Sequence, residues 1–342
     1  MKKRTFALMM SLVLLLGITA CGKPAATGSA SDPAPEVSQS QPEVVAGEKV
    51  EVMVLSGPTG VGAAKMMADN EAAGDAAAYN FTVVAGNDEV APALAKGEVD
   101  IACIATNMAA NLYNKQTDIR VLAVNTLGVL YILDKSGSVT DVTSLEGKTI
   151  YATGKAANPE YILNHVLTQN GVDPVKDVDI QWMTPQEVTA KMVESTDGVC
   201  MLPVPAATAL MIKDAGVREA INVSEAWDEV AENPLVMGCV VVRTAFMEEN
   251  PQLVAQFLAE YEASINYMKD EANAPDAAQY VAQFGITANA AIAAKAIPQC
   301  NLTYMAGDEM RTAIQGYYEV LFTADPAAIG GGNPDDGFYY VP

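Results

Sequence analysis

Short apolar runs rich in β-branched residues alternate with longer helix-forming segments along this chain, and the alternation runs through twice. In the first round, 49–55, 79–85 and 99–105 read as strands. Helices are read over 62–68, 89–96 and 107–114, and two further strands over 119–125 and 129–133. The second round has strands at 149–152, 178–183 and 198–202, with helices at 159–169, 185–193 and 204–214. Strands separated by helices need crossover connections, and crossovers of that kind build mainly parallel sheets. Near-continuous apolar strands such as 101–105 suit a sheet covered on both faces. An apolar run at 236–242 reads as a hinge strand, and everything after it reads as helical (251–269, 276–284, 289–296 and 309–321). The expectation is an α/β protein of two lobes, 48–127 with 241–342 and then 128–240, joined by crossings near 127–134 and 233–240.

The front of the chain does not belong to that body. Lys2, Lys3 and Arg4 precede an apolar stretch at 6–18, and small residues lead to Cys21. This order is that of a secretory signal (1–20) rather than a membrane span. The ending Ile18-Thr19-Ala20-Cys21 resembles a bacterial lipobox, in which Cys21 carries the lipid. The alternative is an ordinary secreted chain in which Cys21 is incidental. Residues 21–47 are rich in Pro, Ser, Ala, Gln and Glu and have little to pack, so they read as a flexible tether. The localisation expected is the outer face of a bacterial membrane, and the long tether suggests a Gram-positive surface.

Composition removes several function classes. The formal net charge is −22, and removal of the basic leader makes it more acidic still. No basic stripe is present to displace counterions from a nucleic acid, and membrane contact is left to the lipid on Cys21. Cys103, Cys200, Cys239 and Cys300 show no CxxC or Cys/His spacing, and His165 is the only histidine. No metal site and no cofactor are expected. Buried thiols are the reading preferred to disulfides.

The stretch VMVLSGPTGVGAAKM (52–66) tests the remaining options. A P-loop starting at Gly57 would need Lys and Ser/Thr after Gly62, where Ala63 and Ala64 stand, and the glycine order is wrong for a dinucleotide fingerprint. Alone, Ser56-Gly57-Pro58-Thr59 reads as a strand-to-helix connection. Turns hold corresponding places, however, at Thr106-Asn107, Asn125-Thr126, Gly154-Lys155 and Val204-Pro205, each at the end of an expected strand. Ligands of open α/β sheets bind outside those carboxyl ends, where helix starts offer free N–H groups. Asn158 fits the N-cap and Pro159 the first helical position of the helix that follows Lys155. Trp182 ends a strand, where it either packs into the core or stacks on a flat ligand at the cleft wall, with Tyr131 and Tyr161 as weaker candidates.

The lipobox, LSGPTGVGAAKMM, GEVDIACIATNMAANLYNK, LEGKTIYATGKAANPEYILNHVLTQNG and CVVVRTAFMEENP together resemble bacterial ABC-importer substrate-binding proteins. The branch is the sulfonate/nitrate/taurine and thiamine-pyrimidine-precursor group. The resemblance implies a periplasmic-binding-protein type 2 fold, with a hinge and a ligand cleft between the lobes. It also implies a small-molecule ligand, a permease and an ATPase as partners, and action as a monomer. Carried onto this sequence, it assigns ligand contacts to Ser56, Gly57, Pro58, Thr59, Thr106, Asn107, Asn125, Thr126, Gly154, Lys155, Asn158, Trp182, Val204 and Pro205. It places an anionic group near Gly154, Lys155 and Asn158. Against a sulfonate, no arginine stands in these loops to clamp it, and Lys155 is their one fixed positive charge.

An enzyme is not expected. Nucleophilic catalysis needs a tuned base beside the nucleophile, and His165 sits on an amphipathic helix where a structural role fits better. Two other readings stay open: a surface sensor or adhesin using the same fold without transport, and a pyrimidine-synthase-like enzyme, which makes its product from its own histidine.

Overall fold

The computed structural model describes residues 49–341. The expectations for the signal segment, for Cys21 and for the tether up to residue 47 lie outside the described residues.

β1 (Val50–Leu55), α1 (Pro58–Val61), α2 (Ala64–Ala72), β2 (Tyr79–Val84), α3 (Asn87–Lys96), β3 (Ile101–Ala105), α4 (Thr106–Asn114) and β4 (Ile119–Thr126) form the first run. The second run holds β5 (Leu130–Asp134), β6 (Thr149–Ala152), α5 (Asn158–Gln169), β7 (Asp179–Trp182), α6 (Pro185–Glu194), β8 (Val199–Pro203), α7 (Ala206–Lys213), β9 (Arg218–Asn222) and α8 (Val223–Asp228). The chain then returns through β10 (Gly238–Arg243), α9 (Thr244–Glu249), α10 (Pro251–Lys269), α11 (Ala274–Gln283), α12 (Ala290–Ala296), β11 (Leu302–Ala306) and α13 (Gly307–Ala324). The strands make a six-stranded sheet ordered β11-β4-β10-β3-β1-β2 and a five-stranded sheet ordered β7-β6-β8-β5-β9. Two α/β layers of this kind are the two lobes expected.

The sheets are mixed rather than mainly parallel. β1 runs parallel to β2 and β3, and β6 runs parallel to β7 and β8. β10, however, lies antiparallel to both β3 and β4, because it enters the first sheet on its way back from the second lobe. The run read as a hinge strand is therefore a central strand of the first sheet. Val240, Val241 and Val242 on it are fully buried, which explains its unbroken apolar character.

Three further differences have local causes. The helix expected at 62–68 is two pieces starting at Pro58, whose fixed φ suits the first helical position. β9 is a polar edge strand in which Ile221 alone is buried, and no alternation marked it. β11 lies in the region read as helical. Its Leu302-Thr303-Tyr304-Met305 run pairs antiparallel with β4 at the sheet edge.

The four cysteines of the described body are free and buried. Burial pushes the Cys103 thiol up to about 11 and those of Cys200 and Cys300 up to about 12. They are core hydrophobes held as unreactive thiols.

Candidate ligand-binding site

The expected contact residues end or follow β1, β3 and β4 in the first lobe and β6, β7 and β8 in the second. One short segment, the return crossing before β10, ties several of them together. Met237 donates its N–H to the Thr126 carbonyl at 3.0 Å and accepts the Thr106 N–H on its own carbonyl at 3.1 Å. The same carbonyl receives the Asn158 side-chain amide at 3.4 Å. Thr106 also donates its hydroxyl to the Val236 carbonyl at 2.7 Å. Strand ends of the first sheet and the start of α5 in the second lobe thus meet at one buried residue.

Gly238 lets two more loops close in. A Cβ at this position would stand 2.5 Å from Thr59 Cγ2, 2.6 Å from Asn125 Oδ1 and 3.0 Å from Thr126 Cβ. Only the missing side chain permits that approach. Asn125 donates Nδ2 to the Tyr261 hydroxyl at 2.9 Å and reaches the Thr59 carbonyl at 3.5 Å. Tyr261, on α10, is fully buried, stacks on Phe257 and accepts the Cys103 thiol at 3.5 Å. Desolvation holds its hydroxyl neutral by raising its pKa far above the usual value. Asn125 Oδ1 and Thr126 Oγ1 are buried, and neither has a hydrogen-bond partner among the described residues.

Other expected contacts are committed elsewhere. Asn158 is not the N-cap. Ala157 holds that position, and Asn158 is the first residue of α5. Its Oδ1 accepts the Tyr317 hydroxyl at 3.0 Å while its Nδ2 serves Met237, so the amide is spent joining α5 to α13 and the crossing. Asn107 is buried in the first turn of α4 and points its Nδ2 at the Ala328 carbonyl, 3.4 Å away in the C-terminal segment. Ser56 is exposed and donates to the Ile286 carbonyl at 3.3 Å. Gly57 caps α1 and Pro58 begins it, which are backbone roles.

In the second lobe, Gly154 has φ +91°, and a Cβ there would strike the Pro159 ring at 2.5 Å. The turn therefore requires glycine for its own closure. Lys155 is exposed. The Ala156 N–H in this turn is already taken by the Glu160 carboxylate at 2.5 Å. Trp182 is half-buried beside β6, opposite Ala152. Val204 is buried and donates its N–H to the Val129 carbonyl at 3.0 Å, at the foot of the outward crossing, with Pro205 next to it. No hydrogen bond among the described residues joins the side chains of Lys155 or Trp182 to Thr59, Asn125, Thr126 or Gly238.

Sequence reasoning missed Met237, Gly238 and Tyr261. Gly238 left a signal, since an isolated glycine in a strand pattern marks close backbone approach. Tyr261 left none, being one apolar position among several on a long amphipathic helix. No group of three or more His, Cys, Asp or Glu side chains set to hold a metal ion occurs among the described residues.

Two mixed sheets with a double crossing and strand ends gathered at it define the class: this is the fold of the periplasmic binding proteins. An ABC-transporter structure from Parabacteroides distasonis shares it with a TM-score of 0.72 and 23% identity, covering 85% of this chain and 98% of that one. The periplasmic aliphatic sulphonate-binding protein SsuA of Escherichia coli follows with a TM-score of 0.70 and 15% identity, over 86% and 93% of the two chains. The periplasmic nitrate-binding protein NrtA of Synechocystis PCC 6803 gives 0.58 and 12%, over 82% and 84%. More particularly, the family model described as NMT1/THI5 like matches residues 121–278. No curated protein gives a sequence match. The family resemblance carried by the sequence motifs is the one that both findings return.

Proposed function

We propose that this chain is the extracytoplasmic solute-binding component of an ABC importer, capturing a small molecule between its lobes and presenting it to a permease. The observation that carries the reading is the junction at Met237, whose one carbonyl accepts both Thr106 of the first lobe and Asn158 of the second. Groups from both lobes gather at the crossing about which the lobes would turn. Ligand seated on both would favour a closed form through contacts unavailable in an open one. Thr59, Asn125 and Thr126 form the first-lobe side of the proposed site. Gly154, Lys155, Trp182 and Pro205 supply the facing side from the second lobe. Lipid on Cys21 would hold the body at the membrane surface.

His165 supports a carrier over an enzyme. It lies on α5 with its ring 4.9 Å from Trp227 and its Nε2 without a hydrogen-bond partner among the described residues, the surroundings of a packing histidine rather than a tuned base.

The test is a thermal-shift screen of the Cys21→Ser chain against sulfonates, nitrate, pyrimidines, thiamine, riboflavin and aromatic acids. A ligand at about 100 times its Kd stabilises the native state by about 2.7 kcal/mol. A saturable shift that also contracts the scattering profile is expected. Binding without contraction would remove the closing mechanism, and silence across the panel would count against the carrier.

A further inference from the structure

Away from the strand ends, toward the C-terminal end of α5, the two lobes meet along a seam that is hollow. A cavity of about 720 Å³ lies there, a volume usual for small-molecule sites. Asn164, Thr168 and Gln169 of α5 line it from the second lobe, and Glu319 and Thr323 of α13 from the first. Glu232, at the start of the return crossing, joins them. At the rise of a helix, the α5 lining stands roughly 9–16 Å beyond Asn158 along the axis, so the cavity is separate from the strand ends. Asn233 stands between it and a smaller cavity of about 420 Å³ beside Pro234 and Met305. Its side chain is pressed onto α13, where a Cβ at Gly316 would be 2.1 Å from its Cγ.

The charge around this cavity has one sign. No lysine or arginine lines it. His165 does, but burial holds its pKa below 6.5, and at neutral pH the ring is uncharged. Glu232 and Glu319 are exposed carboxylates. Both α5 and α13 end at the cavity, and the carboxyl end of a helix carries partial negative charge. Asp325, just past α13, extends the same field. After burial, it and Glu160 raise the Tyr161 phenol on α5. Asn164, Thr168, Gln169 and Thr323 add neutral oxygen acceptors. A bare divalent ion gathers several oxygen ligands around one point, and no group of three metal-ligating side chains occurs among the described residues. Acceptors spread along a groove suit N–H donors spread along a chain.

We propose that this seam is a second ligand site, distinct from the strand-end site, and that it takes a small linear di- or polyamine. Glu232 and Glu319 receive the ammonium groups, and the polar side chains of α5 receive the remaining N–H donors. Because α5 and α13 belong to different lobes, the occupant bridges them.

The experiment titrates the Cys21→Ser chain by calorimetry at physiological ionic strength with spermidine, putrescine, 1,4-butanediol and succinate. Saturable binding of spermidine and weaker binding of putrescine are expected, with none of the diol or the dianion. An acidic chain attracts any polycation, so a charge-matched comparison decides. Glu232→Gln with Glu319→Gln should weaken spermidine about fivefold or more. Glu146→Gln with Glu249→Gln, the same change of charge at exposed positions elsewhere, should weaken it less than about twofold. Thr168→Trp, at an exposed position of α5, fills the cavity without changing charge and should also weaken binding about fivefold or more. Equal losses in the two double variants would reveal only diffuse attraction and overturn the inference. Binding untouched by Thr168→Trp, or no saturable binding at all, would overturn it too. The carrier reading stands or falls on the strand-end site, independently of these results.

Discussion

At the scale of single residues, the polar strand ends were legible and their partners were not. Asn125 and Thr126 stood out because they close an apolar strand with polar side chains. The hydroxyl that orients Asn125 lies 136 positions further along the chain, beyond any local pattern. Asn107 and Asn158 show the complementary case, in which residue type and position suit a contact while their amides also hydrogen-bond to Ala328, and to Met237 and Tyr317. The lone histidine was read as structural, and its surroundings yield a prediction. His165 lies against Trp227 with Nε2 buried and without a partner among the described residues, and burial holds its pKa below the ordinary 6.5. The unfolded chain therefore takes up a proton that the folded chain resists. Stability should fall as pH drops through 6.5 toward the folded value, and above 6.5 this residue should add no slope. The slope cannot exceed about 1.4 kcal/mol per pH unit. Urea unfolding between about pH 7.5 and about pH 5 should show a steeper acid-side loss in the native chain than in His165→Gln. Equal slopes would place the ring in water.

At the scale of elements, alternation revealed the strands and helices that bury a face, and it failed for edge strands. β9 and β11 each lie at a sheet edge, so half of their pattern faces solvent or other elements and carries no clean period. The start of α5 was found, though one residue late, because Asn158 and Pro159 compete as start signals while the backbone takes Ala157 as the cap. What holds this start is the turn before it. Gly154 adopts φ +91° and leaves only 2.5 Å between a would-be Cβ and Pro159 Cγ, part of a rigid ring. Gly154→Ala should cost about 1–3 kcal/mol from left-handed strain and overpacking together. The urea midpoint should drop with the m-value unchanged. A midpoint equal to that of the native chain would show that the turn and the Pro159 ring relax at little cost.

At the scale of the whole molecule, the doubled rhythm announced two α/β layers, but nothing local revealed how the last helices clasp the second one. Gln299, just after α12, accepts the Thr208 hydroxyl at 2.9 Å and donates to Glu219 at 3.2 Å. Its backbone carbonyl takes the Tyr131 hydroxyl at 3.2 Å. Tyr131, Glu219 and Thr208 lie on β5, β9 and α7, all in the second lobe, whereas the strand that follows Gln299 joins the first sheet. Any rotation of one lobe on the other must carry these three partners past Gln299. The knot therefore restrains the arrangement seen here, and its side-chain half can be removed without touching Asn125, Thr126 or Met237. Each side-chain hydrogen bond contributes about 0.5–1.5 kcal/mol, so losing both should shift a closed–open balance by roughly five- to 150-fold. Gln299→Ala should enlarge the radius of gyration of the unliganded chain and raise the Kd of whichever ligand it binds. At saturating ligand the native and variant scattering profiles should coincide again, because ligand contacts restore the closed form. Unchanged scattering and an unchanged Kd would mean that the lobes do not turn about these crossings, and the closing mechanism would lose its structural basis.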